Sequence, residues 1–180
     1  MTPSHRELVT PLADFAGLYR EHAAAVHRFA VYLSGDPPLA DDLVSEAFVR
    51  VWTARERVEL TTVRGYLFAI VRNLFLRHLR HERRRAPLDE RFADGRPDPE
   101  LRASDQSTLQ TVLSALDALP EADRSAVLMR ANGELPYEEI AAVLRISVTA
   151  AKVKVHRARL KLAEAAERDV AGARRRVPGS

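Results

Sequence analysis

The sequence predicts an all-α protein made of two small helical domains joined by a flexible linker. Three observations carry that reading. Apolar residues recur at three- and four-residue spacing almost throughout, and no stretch alternates apolar with polar as a half-buried strand would. Pro37-Pro38, Pro120 and Pro136 stand where helices should begin, the one place where proline's missing N–H costs nothing. Between the two periodic regions, "APLDERFADGRPDPELRASD" (Ala86–Asp105) has three prolines, a glycine and many charges but no apolar period.

Taken in order, the period predicts helices over Leu12–Leu33, Leu39–Arg55, Thr62–Arg85, Leu109–Leu119, Glu121–Asn132, Tyr137–Leu144 and Val148–Asp169. The expected organisation is a disordered N-terminus (1–11), a first domain (12–86), a linker (87–106), a second domain (107–170) and a disordered tail (171–180). Each domain is expected to bury its own core.

Composition narrows the function. No cysteine is present, so neither a disulfide framework nor a thiolate metal site is expected. No apolar run, Leu67–Val71 included, approaches the length of a membrane span, and "MTPSHRELVTPLADF" lacks the apolar core of a secretion signal. The expectation is a soluble cytoplasmic protein without membrane insertion. The chain carries no P-loop, no glycine-rich dinucleotide loop and no HExxH. His78 and His81 lie in an arginine-rich run, and His22 and His27 are off same-face spacing. No catalytic residue, metal or cofactor is expected, and the chain is read as a non-enzyme. Formal charge is only +3, but it is unevenly placed: acids gather at Asp41–Glu46, while bases gather at Arg72–Arg85, Arg145–Lys161 and Arg174–Arg176. Separate basic stretches suit a polyanion bound at two places, nucleic acid above all; the plainer alternative is a set of solvated helix faces.

In the second domain, Tyr137, Ile140, Ala141 and Leu144 form one apolar stripe, and Val148, Ala151, Val155, Ala158 and Leu162 form another after the turn Arg145-Ile146-Ser147. Ser147 is placed to cap the second helix. Two short helices, a tight turn with an apolar residue in it and a basic second helix make a helix-turn-helix suited to a DNA major groove. All three lysines of the chain, Lys152, Lys154 and Lys161, fall on this second helix, beside Ala150, Val153, His156 and Arg157. Small residues let the helix enter the groove, and the longer cations reach base edges or phosphates.

In the first domain, "ADDLVSEAFVRVW" (Ala40–Trp52) sets Leu43, Val44, Ala47, Phe48, Val51 and Trp52 on a broad apolar face. Asp42, Ser45, Glu46 and Arg50 lie opposite, as an acidic patch that could dock a basic partner; Glu46 and Arg50 could equally be a local i,i+4 pair. The next helix, Arg64–Arg85, has a core face of Leu67, Ile70, Val71 and Leu74 and a separate stripe of Asn73, Arg77, Arg80 and Arg84. Tyr66 lies seven residues before Asn73, about two turns away on the same face. An aromatic, an amide and a ladder of arginines suit single-stranded DNA: stacking, reading of a Watson–Crick edge, and tracking of the backbone.

At this point the sequence resembles a bacterial RNA polymerase sigma factor of the extracytoplasmic-function (ECF) group. The resemblance rests on "ADDLVSEAFVRVW", "RGYLFAIVRN" followed by bases, "LDALPEADRSAVLMR" and "LPYEEIAAVLRISVTAAKVKVHRARLKL", in that order. It implies an alternative sigma factor that binds core RNA polymerase and initiates transcription at chosen promoters. Asp41, Asp42, Glu46, Phe48 and Trp52 would meet the clamp helices of the largest subunit. Tyr66, Arg72, Asn73, Arg77, Arg80 and Arg84 would bind the melted minus-ten element, with Asn73 holding a flipped base. The helix-turn-helix would read minus-thirty-five duplex through Thr149, Ala150, Lys152, Val153, His156 and Arg157, with Lys154 and Arg159 facing phosphates. The resemblance also implies contact with the polymerase flap region and, as for many of the group, an anti-sigma partner. Val153 departs from the group's usual hydroxyl donor, Arg145 stands where glycine is frequent, Pro136 replaces a common serine cap and Arg77 a frequent aspartate. The competing reading is a stand-alone helix-turn-helix regulator of duplex operators, which leaves the first domain unexplained.

Overall fold

The computed structural model describes residues 15–54, 62–85 and 108–176. The expected N-terminal segment (1–11), the linker (87–106) and the last residues of the tail lie outside the described residues. Among the described residues the chain forms seven α-helices: α1 (Phe15–Ser34), α2 (Pro37–Thr53), α3 (Val63–Arg85), α4 (Thr108–Asp117), α5 (Glu121–Asn132), α6 (Tyr137–Leu144) and α7 (Val148–Arg176).

Local chemistry sets the boundaries. Between α1 and α2 the chain turns at Gly35, whose φ of +69° suits a residue without a side chain. Asp36 then caps α2 by accepting from the Leu39 amide at 3.1 Å, and prolines fill the first two helical positions. Pro120 and Pro136 immediately precede α5 and α6, as the sequence predicts. The α6–α7 turn closes on Arg145 at φ +56°, with the Ile146 amide donating back to the Ala141 carbonyl at 3.0 Å. That is a left-handed helix terminus occupied by a residue with a Cβ, at a cost of about 1 kcal/mol relative to glycine. Ser147 caps α7 as expected, accepting from the Ala150 amide at 3.1 Å.

Two expectations change. α7 continues to Arg176, beyond Asp169 and into the segment expected to be disordered. Within the predicted part of α7, Ala165 is buried and Thr111 of α4 donates to the Asp169 carboxylate at 3.2 Å, so α4 packs along the helix as far as Asp169. Nor does each domain close on its own core. Leu67, Phe68 and Phe29 of the first half and Met129, Leu135 and Ile140 of the second belong to one cluster of buried side chains. Its centre includes Phe68, fully buried, with its ring 4.7 Å from that of Phe29 and its far edge against Gly133. Burying such a phenylalanine is worth about 2–3 kcal/mol, and here the gain belongs to both halves at once.

Candidate nucleic-acid interface

On α3 the apolar face predicted from sequence is buried, which leaves a second face turned to solvent. Asn73, Arg77, Arg80 and Arg84 are exposed and Tyr66 is half-buried, so the structure brings this part of the predicted set onto one accessible surface. Arg77, Arg80, Arg84 and His81 line a shallow depression, a setting that draws phosphate. His81 was not singled out by sequence reasoning; its spacing of four from Arg77 is the signal that would have included it.

Arg72 does not join them. One residue from Asn73 on a helix means a turn of about 100°, and Arg72 points into the other half of the molecule. Its Nε and Nη2 each donate at 2.7 Å to the two oxygens of Glu121, and both side chains are largely buried.

The acidic patch on α2 is present but mostly occupied. Asp41 lies 2.9 Å from His27 Nε2. Glu46 accepts from Arg50 of its own helix and, at 3.1 Å, from Arg77 of α3. Desolvation pushes the Glu46 carboxyl up, but its bonds to Arg50 and Arg77 and their positive charges together hold it below its ordinary range. Asp42 is exposed. Phe48 is not available to a partner: it is 1% exposed and belongs to the core. The family resemblance implied a contact role for it, although its period already set it on the apolar face; the accessible aromatic surface nearby consists of Phe15 and Tyr19 of α1, which sequence reasoning passed over, with half-buried Trp52. The rings of Phe15 and Trp52 meet edge-on at 5.4 Å.

On α7 the expected core stripe is confirmed at Ala151, Val155 and Ala158, all buried, with Val148 and Leu162 half-buried. Thr149, Lys152, Val153, His156, Arg157 and Arg159 are exposed, and Ala150 is half-buried. Lys152 lies 5.7 Å from the Tyr137 ring centre and Arg130 lies 5.1 Å from it, so α6 steadies the cation on the outer face of α7. Lys154 is different. Its Nζ donates at 2.9 Å to Asp123, a carboxylate of α5 that is almost fully buried, and Arg157 comes within 4.0 Å of the same group. A lysine that neutralises a buried acid is committed to the fold before it meets any phosphate.

Comparison with known proteins adds an independent line. Residues 18–85 match the family model for Sigma-70 region 2, and residues 109–162 match that for Sigma-70 region 4. The chain is 35% identical over 150 residues to the ECF RNA polymerase sigma factor SigE of Mycolicibacterium smegmatis, covering 81% of this chain and 58% of SigE. It is 32% identical to the ECF RNA polymerase sigma factor EcfG of Rhodopseudomonas palustris, covering 77% of each chain. Among solved structures, the sigma factor RpoE of Bartonella quintana, crystallised with the anti-sigma factor NepR, superposes with a TM-score of 0.68 at 27% identity, over 86% of this chain and 97% of that one.

Proposed function

Because the chain belongs to the ECF group of RNA polymerase sigma factors, we propose that it binds core polymerase, directs it to promoters and starts transcription there as a non-catalytic subunit. The observation that carries this reading is the order of parts on one chain: a region-2 match whose α3 exposes an aromatic, an amide and arginines, then a region-4 match that ends in a basic recognition helix. A stand-alone operator-binding regulator would use only the second of these.

The division of work follows from the exposed chemistry. Asp42 and Glu46 suit a basic protein partner, the polymerase clamp, and the exposed Phe15 and Tyr19 with half-buried Trp52 offer it an apolar surface as well. Asn73 and Tyr66 suit capture of an unpaired, unstacked minus-ten base, while Arg77, Arg80 and Arg84 follow its backbone. Lys152, His156 and Arg157 on α7 suit duplex base edges, and Val153 offers only an apolar contact such as a thymine methyl. Arg159 suits a phosphate. The superposition on a sigma factor held by its anti-sigma factor supports an anti-sigma partner for this chain as well. No described helix is long and apolar enough to cross a membrane.

The test is transcription in vitro from a genomic fragment library, by core polymerase with and without this protein. New start sites that share two spaced upstream elements are expected. Binding of the protein alone to duplex DNA, with no initiation and no comigration with core, would favour the regulator.

A further inference from the structure

Beneath the recognition helix lies a charge that the fold satisfies only in part. Asp123, in the first turn of α5, is 1% exposed where α5 packs against α7. A carboxylate so placed needs its charge and both its oxygens met from within the protein. Lys154 Nζ donates to one oxygen, Oδ1, at 2.9 Å. The other, Oδ2, accepts no hydrogen bond among the described residues. Nη1 of Arg157 stands 4.0 Å from it, too far for a bond.

Stability does not account for this arrangement. An apolar pair of similar volume would hold α5 on α7 as well as a buried ion pair does, or better. What the carboxylate adds is direction: an acceptor fixed in the core, within reach of a guanidinium whose side chain is 58% exposed. A shift of Arg157 by about 1 Å closes a charge-assisted bond of about 2.7–2.9 Å.

The consequence lies on the other edge of that guanidinium. With Nη1 drawn to Asp123, the Nε–Nη2 edge stays free, and two donors on one edge match O6 and N7 of guanine in the major groove. Arg157 is the one arginine in the stretch Thr149–Arg157. Its neighbours are otherwise engaged: Lys152 lies over the Tyr137 ring, Lys154 is bound to Asp123, and Val153 has no side-chain donor. A long exposed side chain loses much rotamer freedom on binding, and a tether set in the core removes that loss beforehand.

We propose that Asp123 is a positioning residue of the duplex reader: it tethers Arg157 through Nη1 and so makes the helix select guanine at one base pair of the minus-thirty-five element. This rests on the sigma-factor reading above for the element that is read, and on α5 and α7 alone for the geometry.

The test is a base scan. Each position of the upstream element in promoters started by this protein is replaced in turn, and transcription by core polymerase with the full chain is measured on every template. The unaltered protein should favour guanine over other bases at one position about 5- to 150-fold. Arg157→Ala should abolish that ratio. Asp123→Asn should lower it about 3- to 10-fold at the same position and leave the other positions unchanged. Adding Asp123→Asn to Arg157→Ala should change nothing further, because the tether then holds nothing. Asp123→Leu with Lys154→Met removes the tether together with the buried charge it strands, so it decides the matter should Asp123→Asn fail to fold; it should lower the guanine ratio likewise. A guanine ratio that does not depend on Arg157, one unchanged by the Asp123 variants, or a loss spread evenly over all positions would overturn the proposal. Absence of initiation by the unaltered protein would refute the sigma reading instead, and the same scan, read as binding of the full chain to selected duplexes, would still decide the role of Asp123.

Discussion

Gly133 gives the most direct handle on how the two halves are held. It follows α5 with φ −100° and ψ −14°, a conformation open to alanine, so Gly133→Ala imposes no backbone strain. The obstacle is space. A Cβ there would lie 2.3 Å from Cε2 of Phe68, 2.6 Å from Cδ1 of Leu135 and 2.9 Å from the Met129 carbonyl oxygen. Comfortable carbon contacts begin near 3.5 Å, so Phe68 would have to retreat by about 1 Å. It cannot do so freely, because it is fully buried and its ring meets Phe29 at 4.7 Å. Overpacking of this kind costs about 1–3 kcal/mol, and the stiffer unfolded chain returns about 0.4–1 kcal/mol. The net expectation is a loss of about 1–2 kcal/mol, which for a chain of this size lowers Tm by about 2–8 °C. Thermal and urea unfolding followed by circular dichroism measure it. Shrinking the obstacle with Phe68→Leu should make the pair non-additive by at least about 0.5 kcal/mol, because the second change removes the cause of the first. A Gly133→Ala protein as stable as the original, or strictly additive with Phe68→Leu, would refute the packing described between α3 and the α5–α6 corner. Gly35→Ala is the contrast: nothing lies within 4 Å, and only the φ of +69° costs anything, about 1 kcal/mol with no coupling to Phe68.

Other outcomes follow from the same structure. Asn73→Ala should leave core binding unchanged and cut initiation on duplex promoters about 10- to 100-fold, with most of the loss recovered on a template already melted at minus ten; equal loss on both templates would remove the base-capture role. Asp42→Arg should weaken core binding at least about tenfold in a pull-down titration, and undiminished binding would move the polymerase surface elsewhere. Lys154→Ala should lower stability by about 2–3 kcal/mol by stranding the buried Asp123, with Arg157 compensating only in part, and leave the salt dependence of duplex binding nearly unchanged. Arg159→Ala should do the reverse, reducing the slope of log K against log salt by about one while Tm holds. His22 is buried in α1 with Nδ1 unpartnered; desolvation, with Arg64 adding to it and Glu21 opposing, depresses its pKa in the folded state. The unfolded chain therefore binds the proton more readily, so the stability from neutral His22 is complete above the ordinary histidine pKa of about 6.5 and is lost as pH falls below it toward the folded value. His22→Leu should flatten the urea midpoint between about pH 7.5 and 5.5, and an unaltered pH profile would show that His22 is solvated.

The helices themselves were legible in the sequence. α5 and α6 begin and end where the period, Pro120 and Pro136 put them, and Ser147 caps α7 as its position before the apolar stripe indicates. These are local properties: a proline's missing N–H, a hydroxyl within reach of an amide and a 3.6-residue period act over one or two turns. The exposed parts of the candidate sites, Asn73 with Arg77 and Arg80 on α3 and Lys152 with Val153 and His156 on α7, were legible for the same reason, since a helix has only one face opposite its apolar stripe. The end of α7 was not. Its last turns, residues 170–176, carry little apolar period of their own.

What tertiary structure alone decided is which partner each face meets. Arg72 and Arg77 read alike along the chain, yet Arg72 closes on Glu121, 49 residues away, while Arg77 stays at the surface with Glu46. Lys154 reads as one of a cluster of DNA-facing cations, yet Asp123, 31 residues earlier, claims it. Phe48 and Phe15 are both aromatic residues on amphipathic helices, and only packing makes one core and leaves the other at the surface. Periodicity specifies that a face is buried or exposed but not what lies against it. Pairing of charges depends on distances between helices, and in this chain the spacing of α3 against the α5–α6 corner sets which arginine is held between the halves and which stays at the surface.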